Sequence, residues 1–295
     1  MPMAASGAAA APAAAAEVKA LLDLSNDSLE KICRALLDPL TPQDAVALAS
    51  TCRGLRAPTA AVLAELRRRH EAVKALCRKA GESCAAVGEA TGLNWSERGL
   101  TVADCKALAD VVATHGLPRL ETLVLQYNGF GAEGMQALAE GLGGGALPSL
   151  TYLGLGFNNI GDAGASALGA ALGRGALPRL QVLYLRDNSL GSAGLIALAP
   201  GLRARPQLKQ LHLGYNDIGD DGVAALVAPG EGVLPSLEGL FLEFNQVGDA
   251  GCAALVAALS SGAMPLLKCI SLNENPGSDA AVDAVRAALA SRLGS

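Results

Sequence analysis

The sequence predicts an α/β solenoid in which short parallel strands form the inner layer and helices form the outer layer. Three observations support this: a nine-residue motif that recurs six times, a spacing of 28 to 30 residues between its copies, and an Ala- and Gly-rich stretch of helical spacing after each copy. A single unit of this kind cannot bury its own leucines, so neighbouring units must stack and bury them together.

The strands are predicted by the motif itself, which first reads Leu120-Glu-Thr-Leu123-Val-Leu125-Gln-Tyr-Asn128. Leucines at its fourth and sixth positions have the period of a strand with one buried face. The fourth positions of the six copies are Leu123, Leu153, Leu183, Leu211, Leu240 and Ile270. We therefore expect equivalent short strands in one parallel sheet, with the leucines on its buried side.

The asparagine that ends each motif is expected to fill the turn after the strand. Its side-chain amide can bond buried backbone groups there, and its removal should cost about 1–3 kcal/mol of stability. Acidic residues in the turns, such as Asp220 and Asp221, are expected to cap the helix that follows. The helices are predicted by Ala-Leu pairs at a fixed distance after each asparagine: Ala137-Leu138, Ala167-Leu168, Ala197-Leu198, Ala225-Leu226 and Ala254-Leu255.

Degenerate units are predicted at both ends of the array. The segment from Leu93 to Leu100 aligns with the first full copy at a spacing of 30 residues, but Trp95 replaces a leucine and Arg98 replaces the asparagine. The last copy has Pro276 after its asparagine. We therefore expect about seven units in residues 91–295.

These motifs resemble those of leucine-rich-repeat proteins of the ribonuclease-inhibitor-like subfamily, whose units have this length and a full helix. The resemblance implies a horseshoe with the parallel sheet inside and the helices outside, which binds proteins through its inner face or rim. The family also contains activating proteins for Ran-type GTPases, so the fold alone leaves a regulatory role open.

A small all-α segment is predicted before the repeats. Residues 1–16 are almost all alanine and predict a disordered tail. Residues 17–57 predict short amphipathic helices, one of them starting at Thr41-Pro42. Residues 58–90 predict a linking helix and an N-terminal cap.

Residues 17–57 contain a loose pattern formed by Leu24, Asp27, Leu29, Ile32, Asp44, Cys52, Arg53 and Leu55. In order and spacing this pattern resembles an F-box, with Ser25 where that family has proline and Leu55 where it more often has an aromatic residue. The resemblance implies docking to the Skp-type adaptor of a cullin ubiquitin ligase. The alternative is a helical cap that shields the first repeat. The residues that carry the match or would contact the adaptor are Leu24, Asp27, Leu29, Ile32, Leu36, Asp44 and Cys52.

The aromatic residues predict the partner-binding surface. Positions three, five and seven of each motif point away from the leucine core, and position eight lies at the end of the strand. Seven of the eight Phe and Tyr residues of the chain occupy such positions, although the alternative is that they only pack against each other. With Arg186 beside them, the expected contacts are Tyr127, Tyr152, Phe157, Tyr184, Tyr215, Phe241 and Phe244.

Enzyme chemistry is not expected. The three histidines show no metal spacing, no phosphate-binding glycine motif occurs, and we expect no cofactor, metal or catalytic residue. The net charge of -5 argues against nucleic acid and anionic membranes as partners. Seven cysteines without a CxxC pair indicate reduced thiols and a cytoplasmic or nuclear location.

Three functions fit these features. The first is a substrate receptor of a cullin ubiquitin ligase, with the F-box-like segment holding the adaptor and the repeats holding an unknown substrate protein. The second is a stand-alone cytoskeletal or ciliary scaffold. The third is a Ran-type GTPase regulator.

Overall fold

The computed structural model describes residues 56–145, 147–228 and 233–293. The predicted tail, and every residue expected to contact an adaptor from Leu24 to Cys52, lie outside these ranges. Within the described ranges, the boundary between two structural units falls between residues 72 and 73. The first described helix is α1 (Arg56–Ala80), and a short helix α2 (Cys84–Glu89) follows it.

Seven three-residue strands form one parallel sheet in sequence order, which confirms the predicted architecture. Each strand pairs with the next in a register that aligns the fourth motif positions, for example Leu153 with Leu183. The degenerate first unit contributes a strand, and Leu93 is aligned with Leu123 as its spacing predicts. The strands are β1 (Gly92–Asn94), β2 (Thr122–Val124), β3 (Tyr152–Gly154), β4 (Val182–Tyr184), β5 (Gln210–His212), β6 (Gly239–Phe241) and β7 (Cys269–Ser271).

A helix follows every strand of the sheet, so each unit is a strand, a turn and a helix. Successive helices pack against each other, and glycines allow some of them to approach closely. A Cβ on Gly169, for instance, would lie 2.6 Å from the carbonyl oxygen of Ala197 in the next helix. The helices are α3 (Val102–His115), α4 (Gly131–Gly141), α5 (Gly161–Gly173), α6 (Ser192–Arg203), α7 (Asp220–Leu226), α8 (Asp249–Ser260) and α9 (Asp279–Leu293).

The core lies between the sheet and the helices and consists mainly of leucine. The leucines at the first, fourth and sixth motif positions are buried, as in Leu150, Leu153 and Leu155. Trp95 is buried as well, in the place of a sixth-position leucine. Because these side chains meet their equivalents in neighbouring units, burial is shared along the array.

The motif asparagines form a ladder that joins neighbouring units. Asn188 is fully buried, and its side-chain oxygen accepts hydrogen bonds from the N–H groups of Asn158 (3.0 Å) and Ile160 (3.4 Å) in the preceding unit. Its side-chain nitrogen donates to the carbonyl oxygens of Leu155, Leu185 and Arg186. The predicted turn-filling role is therefore confirmed, and in addition each asparagine links two units.

The acidic turn residues behave differently from the expectation. Asp220 begins α7, but its carboxylate accepts hydrogen bonds from the N–H groups of Gly248 (2.6 Å) and Gly251 (2.9 Å), at the start of the next unit's helix. Asp162 accepts from Gly191 of the next unit in the same way, at 2.7 Å. These residues cap the neighbour's helix because the helix starts of stacked units lie side by side.

Five cysteines in the described ranges are free: Cys77, Cys84, Cys105, Cys252 and Cys269. Burial is the main reason that the pKa of the Cys105 thiol rises to about 12, and the pKa of Cys77 is raised to about 12 chiefly by the same cause. Protonated, buried thiols of this kind behave as small apolar side chains. None of the described helices is both long and apolar enough to cross a membrane.

Candidate protein-binding surface

The side of the sheet that faces away from the leucines carries the candidate site. At the strand ends the chain turns at position eight, and the N–H group there donates to a carbonyl of the next unit, as Tyr215 does to Glu243 (2.8 Å). Equivalent side chains of successive units therefore form columns across the sheet. Two of these columns, at positions five and eight, are rich in rings.

The position-eight column contains two stacked aromatic pairs. Tyr127 and Phe157 have ring centroids 4.0 Å apart, and Tyr215 and Phe244 have centroids 4.1 Å apart. Pairs of this kind are expected where equivalent positions of stacked units are neighbours. Tyr127, Tyr215 and Phe244 nevertheless leave 48%, 37% and 42% of their surface exposed, so stacking covers only part of each ring.

The backbone at position eight is left-handed, which makes aromatic residues there unexpected. Tyr127, Phe157, Tyr215 and Phe244 have φ between 55° and 60°. This region favours Gly and Asn, and bulky side chains adopt it only where the surrounding structure imposes it. Because neither burial nor backbone preference calls for rings at these positions, their presence favours a role in contact with another molecule.

The position-five column is a second stack that runs from Tyr184 through His212 to Phe241. The centroid of His212 lies 4.9 Å from that of Tyr184 and 4.2 Å from that of Phe241, and the last two rings are nearly parallel. Burial lowers the pKa of His212 below its ordinary value, so its ring is neutral near pH 7. His212 was not among the residues expected from the sequence, where only Phe and Tyr were counted.

Glycines let these side chains lie flat against the sheet. A Cβ on Gly156 would lie 2.9 Å from a ring carbon of Tyr184, and one on Gly239 would lie 2.9 Å from a ring carbon of Phe241. The surface is therefore low in relief, with ring faces and edges in place of protruding chains. A role for these glycines was not predicted from the sequence either, because the repeat motif does not restrict which residue occupies positions three and seven.

Arg186, at position seven, lies against the position-eight column. Its guanidinium carbon lies 3.9 Å from the ring centroid of Tyr215, and its Nη1 lies 3.2 Å from a carboxylate oxygen of Glu243, two units away. The unit between them has Gly214 at this position, and a Cβ there would lie 2.5 Å from the Glu243 carboxylate. The charge of Arg186 is therefore paired within the protein.

Tyr152 lies on the same side of the sheet, at position three. It is half-buried, and burial is the main cause of the raised pKa of its hydroxyl, to which Gln126 is hydrogen-bonded. All eight residues expected to bind a partner thus share one side of the sheet. Among the residues described by the structure, no group of three or more His, Cys, Asp or Glu side chains is placed to hold a metal ion.

Comparison with known proteins supports the repeat fold. Five segments match the family model described as "Leucine Rich repeat": residues 117–139, 146–169, 177–199, 206–227 and 233–256. The chain therefore contains leucine-rich repeats, and repeats of this class indicate a protein–protein interaction module that is generally non-enzymatic. Assignment to the ribonuclease-inhibitor-like subfamily stays a prediction.

Two solved structures are similar over part of their length. A crystal structure of an internalin (inlF) from Listeria monocytogenes is 14% identical, with 73% of this chain and 91% of that chain covered and a TM-score of 0.25. The TLR13 chain of a TLR13–ssRNA13 complex is 21% identical, with 63% of this chain and 33% of that chain covered and a TM-score of 0.24. A search of curated proteins found no match.

Proposed function

We propose that the chain is a protein-binding module whose contact surface is the aromatic side of the sheet. The observation that supports it most strongly is the position-eight column, where exposed rings are held in a strained backbone conformation. Aromatic residues and arginine are enriched at the centres of protein interfaces, where a few buried side chains contribute most of the binding free energy.

The test is the double substitution Tyr215→Ala plus Phe244→Ala, with a partner recovered by affinity capture on the full chain and identified by mass spectrometry. Aromatic anchors typically contribute more than about 2 kcal/mol, so the dissociation constant should rise roughly thirtyfold. The melting temperature should barely move, because both side chains lie outside the leucine core.

A matched control removes exposed apolar surface elsewhere. Ile196 and Leu266 are 46% and 53% exposed, and neither belongs to the columns. Ile196→Ala plus Leu266→Ala should leave binding unchanged. Equal affinities for both double variants, or a Tyr215/Phe244 variant that unfolds while binding per folded molecule is intact, would show that the aromatic pairs are structural.

Within this role, we propose that the chain is a substrate receptor of a cullin ubiquitin ligase. The support is the F-box-like pattern of residues 24–55, which stands directly before the repeats as in receptors that carry both parts. The pattern would dock a Skp-type adaptor through apolar residues such as Leu29 and Ile32, while the aromatic surface holds the substrate. Adaptor binding is thus assigned to residues 24–55 and substrate binding to the repeats.

A purified Skp-type adaptor tests this assignment. The full chain should capture it, and Ile32→Glu should abolish capture while the circular dichroism of the repeats is unchanged. No capture by the wild-type chain, or unchanged capture by the variant, would rule out the F-box and favour a stand-alone scaffold. Stimulated GTP hydrolysis by a Ran-type GTPase would instead indicate the regulatory alternative.

A further inference from the structure

The position-eight column alternates between acidic residues and aromatic pairs in an unusually regular order. From the first unit to the last it reads Glu97, then the Tyr127–Phe157 pair, Asp187, the Tyr215–Phe244 pair, and Glu274. The three acidic side chains are exposed. Each is separated from the next by the same distance, three units along the sheet.

Charges next to the column add to its negative character. Asp217, two positions after Tyr215, is also exposed. The basic residues there are Arg98, which lies beside Glu97, and Arg186, whose charge is already paired with Glu243. An uncompensated negative charge therefore remains beside partly exposed aromatic rings, and such rings attract cations through their quadrupoles.

A shallow depression lies at the centre of the column. It has a volume of about 230 Å³ and is lined by Gly129, Phe157, Asn159, Asp187 and Ser189. Its walls thus combine an aromatic ring, a carboxylate, and the side chains of Asn159 and Ser189, which are hydrogen-bonded to each other at 3.1 Å. A ring beside a carboxylate is a combination suited to a lysine or arginine side chain.

We propose that this column binds an extended basic segment of a protein partner, with a central lysine or arginine in the depression beside Asp187 and further basic residues at Glu97 and Glu274. The inference rests on the proposed function and specifies the class of its partner. Three units span about 14 Å at ~4.8 Å per strand, and an extended chain rises ~3.3 Å per residue. Basic residues about four positions apart would therefore meet successive carboxylates, while the residues between them lie on the rings.

The test uses the full chain and fluorescein-labelled peptides in a fluorescence anisotropy titration. The probe is a thirteen-residue peptide with lysine at positions three, seven and eleven. One control peptide has glutamate in place of the lysines, and another has the three lysines consecutively. We expect the spaced lysine peptide to bind at least about tenfold more tightly than the glutamate peptide, and less tightly as salt screens the exposed charges.

Protein variants locate the contact. Asp187→Asn should weaken the spaced lysine peptide about tenfold, whereas Glu140→Gln, which removes one exposed charge from the helix layer, should change affinity less than about twofold. Phe157→Leu keeps an apolar side chain without a π face and should weaken binding by about threefold.

Three outcomes would overturn the proposal: a glutamate peptide that binds as well as the lysine peptide, equal affinity of the spaced and consecutive lysine peptides, or an Asp187→Asn effect no larger than that of Glu140→Gln. The proposed function is tested separately. If the Tyr215/Phe244 variant loses its partner while the lysine peptide fails to bind, the aromatic surface stands and only the basic partner class is wrong.

Discussion

Asn188 shows how much one buried side chain can hold together. It makes five hydrogen bonds, three to carbonyl oxygens and two from N–H groups, and they span two units. Asn188→Ala leaves the buried N–H groups of Asn158 and Ile160 without their acceptor, whereas the three carbonyl oxygens each keep another donor. We therefore expect the free energy of unfolding, measured with urea, to fall by about 1–3 kcal/mol.

The exposed Asn273, two residues after β7, provides the control, because it is an asparagine of the same array that is not buried. Asn273→Ala should leave the urea midpoint within experimental error. If Asn188→Ala is no less stable than Asn273→Ala, water replaces the lost bonds and the ladder contributes little.

We expect His212 to make the stability of the repeats depend on pH. Burial lowers its pKa in the folded state, so above its ordinary value of about 6.5 both folded and unfolded chains hold a neutral ring. As the pH falls below that value, the unfolded chain takes up the proton first, and the free energy of unfolding decreases until the pH passes the folded-state pKa.

His212→Phe preserves a ring between Tyr184 and Phe241 but removes the titration. Between pH 7.5 and 5.5 its urea midpoint should fall less than that of the wild-type chain, because the other titrating groups are shared and cancel in the comparison. Parallel midpoint curves for the two proteins would mean that His212 is protonated equally easily in both states.

These residues also mark what the sequence could and could not predict. The buried asparagines and the position-eight pairs follow from the repeat, because equivalent positions of stacked units must be neighbours. His212, Gly156 and Gly214 were not expected, since their importance depends on what lies one unit away. The motif predicts which residues face the leucine core. On the opposite side of the sheet, burial imposes no residue pattern that a motif could show.

At the scale of elements, the number of strands and their register were predicted from the motif, while the caps of the helix starts were not. Gly248 precedes α8 and has no side chain to cap it, and the cap is supplied by Asp220 of the preceding unit. The sequence places Asp220 at the start of its own helix, and only the stacking of units reveals whose N–H groups it meets.

Asp220→Ala should therefore destabilise the helix of the following unit. We expect a loss of about 1 kcal/mol, typical of a removed N-cap, and faster hydrogen exchange at the N–H groups of Gly248 and Gly251. Asp221→Ala is the matched control, because Asp221 lies in the same turn, is exposed, and has no bond to the next unit. Faster exchange confined to α7 in the Asp220 variant would contradict the assignment.

At the scale of the whole molecule, the array of repeats within residues 73–295 is stabilised mainly by contacts between adjacent units. Helices pack against the next helix in order, strands pair only with adjacent strands, and the asparagine and aspartate bonds reach one unit along the chain. An array built this way is quasi-one-dimensional, so its stability is approximately a sum over units and their interfaces. Each unit likewise contributes one residue to each binding column, although the Arg186–Glu243 ion pair reaches across two units.

The removal of one complete unit tests this organisation. Deletion of residues 150–179 removes one 30-residue period and joins Ser149 to Leu180, which takes the place of Leu150. We expect the shortened chain to retain the same circular dichroism per residue and cooperative unfolding, at a lower urea midpoint. The urea midpoint falls for two reasons. One interface between units is lost, and Ala132 takes the place of Asp162, whose carboxylate accepts a hydrogen bond from the N–H group of Gly191 in the full chain.

Deletion of residues 150–164 is the control, since it removes half a period and places helix sequence where a strand is needed. That variant should lose cooperative unfolding, because its leucines no longer meet those of the neighbouring units. If both deletions unfold the chain alike, stability depends on contacts beyond adjacent units and the nearest-neighbour description is wrong. If both remain folded, the leucine register contributes less to the fold than the burial of these residues indicates.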